Sequence, residues 1–388
     1  MEISTIGLDL AKNVFQVHAV DALGNVVIRR AIRRSQVLPL FAKLRPCLVG
    51  IEACGASHHW ARELLALGHD VRLMPPAYVK PYVKRSKTDA ADAAAICEAV
   101  TRPTMRFVPV KSREQQAILS LHRTRALLVK QRTQLVNMIR GQLAEFGITI
   151  PQGLERALML ARQITEGKEM PDLPGHAVKM LAIVCRQTLL THEQIREINR
   201  DLLALQKSDE MARRLATIPG IGPIGATAFA AAVTDPGQFR SGRQFAAWLG
   251  LTPLQNSSGG KERLGRISKM GDKYLRRLLV IGATALVRQF RNKPDKATPH
   301  FASLLARKPV RVATVAMANK MARIVWALMT RGETYNAGQY PDAGCVRDKR
   351  FSRPHGRREV AGVTRCDGET GQAGNRDNPP NVGGVTAW

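Results

Sequence analysis

Acidic side chains are scarce in this chain of 388 residues: 31 Asp and Glu stand against 59 Lys and Arg, a formal net charge of +28. Self-repulsion of that size is only a cost unless a polyanion offsets it, so the imbalance argues for a polyanionic partner. Long apolar runs are lacking too. The longest, around Leu278 to Val287, is about half of the ~20 residues a bilayer crossing needs, so no membrane partner is expected. The opening, MEISTIGLDL, has no positively charged start of a secretory signal. The six cysteines (Cys47, Cys54, Cys97, Cys185, Cys345, Cys366) form no CxxC pair, which excludes a common zinc pattern and a disulfide frame. They read as reduced thiols of a cytoplasmic, nucleoid-associated protein. No repeat recurs at a fixed period.

The cationic excess is uneven. Residues 1–100 carry a net +4, residues 101–210 +6, residues 211–334 +16 and the last 54 residues +2. A polyanion is therefore expected against 211–334, while the first segment has room for clustered acids.

The chain opens on three apparent strands, Ser4–Leu10, Val14–Val20 and Val26–Ile32, joined by hairpin-like connections. Helical spacing over Gln36–Leu44, a compact apolar strand Cys47–Glu52, a helix His59–Leu67 and a strand Asp70–Met74 follow. An alanine-rich helix begins after Thr88. This order predicts a mixed sheet flanked by helices over 1–108. Residues 109–210 read as a helical connector. Leu121, Leu128 and Leu135 recur at seven, with Ile118, Ile139, Leu143 and Phe146 filling the seam, and Ile195, Ile198, Leu202 and Leu205 step by three and four. Both segments suit an antiparallel hairpin or coiled coil, although Arg125 and Arg132 lie on or beside the seam. Residues 211–334 read as all-helical with glycine-rich turns. Residues 335–388 hold nine glycines and four prolines and read as a disordered tail. The fold class expected is thus mixed α+β.

Four acids stand out. Asp9 ends the first strand, Glu52 ends the fourth, and Asp89 and Asp92 stand three apart on a predicted helix, hence on one face. Taken singly, each has a plain explanation: Asp9 as a strand-end turn former, Glu52 as a partner for Lys12 or Lys87, Asp89 as a helix N-cap. Converging, they would repel one another unless cations lay between them. Two Mg²⁺ ions (or Mn²⁺, since carboxylates suit both) would satisfy them and clamp a phosphoryl group. In a protein this basic, the substrate would be a nucleic-acid phosphodiester. The order of the acids resembles that of ribonuclease H-like nucleases, the RuvC branch in particular.

Residues 215–226, LATIPGIGPIGA, carry Gly220 and Gly222 in the pattern of a helix-hairpin-helix, whose glycines let backbone approach phosphate closely. A tight helix–helix turn is the alternative. Further on, Ser257 and Ser258 precede Gly259 and Gly260 on a loop, followed by Lys261, Arg263, Arg266, Lys269, Lys273, Arg276 and Arg277. A serine among cations is placed to meet a phosphate; most Ser-Gly pairs are simply turn formers. No base for the serine is identifiable nearby, so a nucleophilic role would draw on a metal held elsewhere. Ser241, in FRSGRQ, reads as a helix cap.

Together the stretches GLDLAKNVFQV, GIEACG, KTDAADA, IPGIGPIGA, FRSGRQFAAWLGLTP and SSGGKERLGRISKMGDKYLRRLL resemble the IS-one-ten insertion-sequence transposases, relatives of the Piv-type DNA invertases. They span residues 6 to about 330. The resemblance implies a RuvC-like domain whose Asp9, Glu52, Asp89 and Asp92 hold Mg²⁺, and a C-terminal domain supplying a serine nucleophile. That serine is Ser258, beside the glycines, with Ser257 as the alternative. It also implies a covalent phosphoserine, a homo-oligomer (dimer or tetramer) in which one subunit's acids meet another's serine, and a structured guide RNA from the element's ends. Two other functions compete. A RuvC-like nuclease or junction resolvase would use water as nucleophile. A non-enzymatic nucleic-acid-binding protein would use its acids only to cap and pair.

Overall fold

The computed structural model describes residues 2–84, 88–168 and 172–336. The expected tail from residue 337 onward, and Lys87 as a partner for Glu52, lie outside the described residues. The N-terminal part runs β1 (Thr5–Asp9), β2 (Val14–Val20), β3 (Val26–Arg33), α1 (Val37–Phe41), β4 (Leu48–Glu52), α2 (Ser57–Ala66), β5 (Asp70–Met74), the single turn α3 (Pro76–Val79) and α4 (Asp89–Val100). The sheet order is β3-β2-β1-β4-β5, antiparallel through the first three strands and parallel from β1 to β4 and β5. The chain's alternation explains the layering. Phe15, Val17 and Ala19 of β2 are buried on one face, where Phe15 meets Trp60 of α2 edge to face at 5.0 Å. β1 is buried on both faces because α4 covers its other side.

Two glycines let α4 settle there. A Cβ at Gly7 in β1 would stand 2.1 Å from the Ala93 carbonyl oxygen, and one at Gly50 in β4 2.8 Å from Val100 Cβ. Helix backbone thus lies directly on strand backbone at the middle of the sheet, which side chains of any size would prevent.

The long helices α5 (Arg113–Ala144) and α7 (Gly175–Ser208) pack against each other, with α6 (Leu154–Thr165) alongside α7. A reciprocal Ser112–Gln115 capping box starts α5. Apolar positions are buried toward one end, at Ile139, Leu143, Leu181 and Cys185, and again on α7 at Ile195 and Leu202. Elsewhere the seam is polar: Arg125 Nε donates to Asn199 Oδ1 at 2.6 Å, and Arg132 hydrogen-bonds His192 at 2.9 Å. Phe146, expected in the seam, is exposed. The heptad pattern therefore describes a packed helical pair with polar cross-links more than a uniform coiled coil.

The C-terminal part comprises α8 (Glu210–Leu215), α9 (Pro223–Ala232), α10 (Gly242–Trp248), a two-stranded hairpin β6 (Pro253–Gln255) and β7 (Leu264–Ile267), α11 (Lys273–Asn292), α12 (Pro299–Arg307) and α13 (Val310–Arg331). The hairpin corrects the all-helical expectation. Its strands are short and almost wholly exposed, so they carry no apolar alternation to read. Helix α13 is long and apolar enough to cross a membrane, but 61% of its apolar window is buried, and Met317, Met321, Val325 and Leu328 fill the core of this part.

Candidate active site

Asp9 and Glu52 stand at the carboxyl ends of the parallel neighbours β1 and β4, a position fixed by the register Thr5↔Leu48 through Leu8↔Ile51. Asp89 and Asp92 lie in the first turn of α4. The N-cap there is Thr88, whose Oγ1 accepts from Ala91 N–H at 3.2 Å, so Asp89 is not the cap and its carboxylate is left to other work. Carboxylate oxygens of Asp9, Asp89 and Asp92 all lie within 4.8 Å of one another. Burial, then Asp92, Asp89 and Glu52 in turn, push the Asp9 carboxyl up to about 6, against one opposing hydrogen bond from the backbone of Leu10. Burial and Asp92 raise Glu52 as well. Four carboxylates thus share one field, and no cationic side chain is paired with any of them among the described residues.

The fit to a divalent cation rests on this donor set. It is all-oxygen, anionic and self-repelling, and burial together with the neighbouring carboxylates holds the Asp9 carboxyl above the ordinary range. Hard cations such as Mg²⁺ and Mn²⁺ suit it.

Ser257 and Ser258 occupy the tip of the β6–β7 hairpin. Ser257 Oγ is engaged in closing it, accepting from Gln255 Nε2 at 3.1 Å and from Arg263 N–H at 3.0 Å. Ser258 is held only through its backbone, its carbonyl accepting from Lys261 N–H at 3.1 Å, so its hydroxyl is free of partners among the described residues. Gly259 and Gly260 turn the chain at φ +55 and +76. No hydrogen bond joins either serine to the four acids. Ser241 caps α10, accepting from Gln244 N–H at 3.3 Å.

Lys261, Arg263, Arg266, Lys269, Lys273 and Arg277 are exposed around this hairpin. Arg276 departs from the expected cationic face. It is buried, and its guanidinium donates to the carbonyls of Leu249 at 2.8 Å and Met270 at 2.7 Å, clamping the hairpin's base. Gly220 departs likewise. A Cβ there would meet Leu286 and Met321 at 2.9 and 3.0 Å, and a Cβ at Gly282 would stand 2.1 Å from the Gly220 carbonyl oxygen. Gly220 therefore serves backbone-to-backbone packing of the turn on α11. Gly222, the N-cap of α9, has open space around it. The sequence reading missed Gly7 and Gly50; their signal was a glycine in the middle of each of two apolar strands.

A mixed sheet of this order, with acids at two adjacent strand ends and on the helix laid across them, is consistent with the ribonuclease H-like, DEDD class of DNA-processing domains. The family model of DEDD-type IS110 transposases, described as "Transposase", matches residues 6–148, and that of the "Transposase IS116/IS110/IS902 family" matches residues 212–298. A "Probable family 20 transposase" of Pseudomonas aeruginosa is 51% identical over 338 residues, 87% of this chain and 100% of the relative. The transposase of insertion sequence element IS1111A from Coxiella burnetii is 41% identical over 87% of this chain and 92% of its own length, and that of IS1328 from Yersinia enterocolitica 39% over 86% and 99%. The chain belongs to the IS116/IS110/IS902 family of insertion-sequence transposases. It is an enzyme of that class, and its substrate is DNA.

Proposed function

We propose that the transposase cuts and rejoins DNA through a covalent phosphoserine, with Asp9, Glu52, Asp89 and Asp92 holding divalent cations and Ser258 as nucleophile. The observation that carries this reading is the convergence of Asp9, Asp89 and Asp92 from separate parts of the chain. Bound there, Mg²⁺ or Mn²⁺ would supply charge stabilisation at the reacting phosphoryl group. In the step itself, Ser258 Oγ forms a bond to phosphorus as the bond to one deoxyribose oxygen breaks. The serine loses its proton and the leaving oxygen gains one. A second deoxyribose hydroxyl reverses the exchange, so no ATP is consumed. The free hydroxyl of Ser258, against the occupied one of Ser257, supports the choice between them.

The division of labour we infer assigns the acids to 1–108, a helical connector to 109–210 and the serine hairpin to 211–334. Assembly of two or four subunits would let one chain's hairpin serve another's acids. The charge of +16 over 211–334 and the family resemblance support a second polyanion, a structured guide RNA, beside the DNA. The work would be done in the cytoplasm, at the nucleoid.

Denaturing electrophoresis of protein incubated with Mg²⁺, end-labelled junction DNA and RNA transcribed from the element's ends tests the reaction. Label should move onto protein with the parent and not with Ser258→Ala or Asp9→Ala. Free cleaved DNA from parent and Ser258→Ala, absent with Asp9→Ala, would instead make water the nucleophile. Omitting the RNA should abolish the shift if a guide is required.

A further inference from the structure

The sheet's register places a basic strip beside the carboxylates. In the β1–β2–β3 ladder, Asp9 pairs with Gln16 and Gln16 with Ala31, so these three share one row and one face. One row back along β1, Gly7 pairs with His18 and His18 with Arg29; on the other side of the Asp9 row, Val14 pairs with Arg33. This is the face on which α4 lies, as the close approach at Gly7 shows. Helix α4 packs over β1 and β2 and reaches β3, yet Arg29, Ala31 and Arg33 all stay exposed on the sheet's outer edge. Small Ala31 thus forms a bare floor between two arginines, level with Asp9, over about 13 Å of strand.

The chemistry of the strip is one-signed. β2 and β3 contain no acidic residue, and neither Arg29 nor Arg33 forms an ion pair among the described residues. Lys84 adds charge from the approach to α4, lying close enough to His18 to act on it. His18 Nδ1 is buried without a partner among the described residues. At the end of the sheet past Arg33, an open depression of about 580 Å³, lined by Asn13, Val14, Arg33, Arg34, Ser35 and Trp60, turns round to the opposite face, where Trp60 packs on Phe15. The indole N–H of Trp60, a residue only 4% exposed, has no acceptor among the described residues. Arg34 lies over the indole ring at 5.0 Å. Exposed cations of one sign on an open floor level with the carboxylates are what a groove following the backbone of a single nucleic-acid strand requires.

We infer that Gln16, His18, Arg29 and Arg33 hold the DNA strand that carries the reacting phosphodiester and lead it to the four carboxylates. The inference rests on the reading of those carboxylates as the chemical centre. The competing role for Arg29 and Arg33 is protection of an edge strand against sheet-to-sheet pairing, which charge of either sign provides.

The test uses the full chain and a single-stranded DNA oligonucleotide, with affinity followed by fluorescence anisotropy across a salt series. Arg29→Glu with Arg33→Glu keeps the edge charged. It should weaken binding about tenfold or more and make the slope of log affinity against log salt shallower by about 1.4, two phosphate contacts at about 0.7 each. Arg29→Lys with Arg33→Lys should keep the parent's slope. An unchanged slope in the glutamate pair overturns the strip, as does a loss seen with an RNA oligonucleotide and not with DNA. Mn²⁺ uptake, measured on the same proteins by the paramagnetic signal of the free ion, separates the two layers. Uptake by the parent and the glutamate pair alike, with none by Asp9→Asn, is expected. A parent that takes up no Mn²⁺ overturns the reading of the acids, and with it the destination of the strand, whatever the salt slope shows.

Discussion

Arg276 and Arg277 are neighbours of the same charge with opposite surroundings. The Arg276 guanidinium is buried and satisfies two carbonyls, Leu249 and Met270, at the base of the serine hairpin; Arg277 is exposed. Removing the first leaves buried acceptors unpaired, at about 1–3 kcal/mol for each such group. Arg276→Leu is therefore expected to lose about 2–4 kcal/mol in urea unfolding, while Arg277→Ala should stay within about 0.5 kcal/mol of the parent. In DNA binding the order should invert when both proteins are compared under conditions where each is folded: Arg277→Ala weakens binding and flattens the salt slope, and Arg276→Leu leaves the slope unchanged. From sequence the two could not be separated, because charge shows in the letters and burial does not. The same holds for Gly220, whose motif suggested phosphate and whose place is against Gly282. The acids were legible for a different reason. Strand ends and a three-residue helical spacing are local geometry, and local geometry is what a sequence encodes most directly.

At the scale of elements, the polar seam of α5 has a purpose the heptads concealed. His122 on α5 hydrogen-bonds Tyr274 OH on α11 at 3.0 Å and Thr227 Oγ1 on α9 at 3.1 Å, and Arg125 joins Tyr274 to Asn199 on α7. Three helices are tied through one histidine and the fourth through Arg125, and Tyr274 follows closely on the hairpin's base. Burial, then the Arg125 guanidinium, pull the His122 pKa down to about 4. His58, buried against Lys111, Arg62 and Arg123, is held equally low. Because these values lie below those of the unfolded chain, the unfolded state takes up protons first as pH falls. Stability is thus complete above about 6.5 and declines toward 4. Each histidine should contribute a loss of about 1–2 kcal/mol between pH 6.5 and 5. The raised Asp9 carboxyl works the other way over that range, so the comparison is made in an Asp9→Asn background: there the urea midpoint is expected to fall, and His122→Gln should remove about half of the fall. An equal fall in both would place the titration elsewhere. None of this was visible in the chain, since the partners of His122 lie more than 100 residues away. The hairpin β6–β7 escaped notice for the converse reason: exposed on both faces, it has no apolar period, and only its Ser-Gly turn was there to be read.

At the scale of the whole molecule, charge and similarity make the same division. The +16 of residues 211–334 lies within the described fold, whereas residues 335–388 add only +2. The described fold takes in the first residue of the tail, which corrects the boundary at 334: Gly332 ends α13 in the left-handed conformation, and Tyr335 N–H donates to Thr217 Oγ1 at 2.9 Å. The Pseudomonas aeruginosa relative is matched over all of its length by 338 residues of this chain, so a transposase of this family is accommodated without some 50 of the 388. A chain ending at Gly344, where the first compact unit ends, should therefore keep the parent's urea midpoint and bind DNA with the same salt slope. Strand transfer onto protein should fall by no more than about twofold, a difference below ~0.5 kcal/mol in barrier. A shallower slope in the truncated chain would show that the tail's arginines contact phosphate despite their small net charge. A lower midpoint with an unchanged slope would assign the tail a structural part instead, because phosphate contacts alter the salt dependence and packing does not.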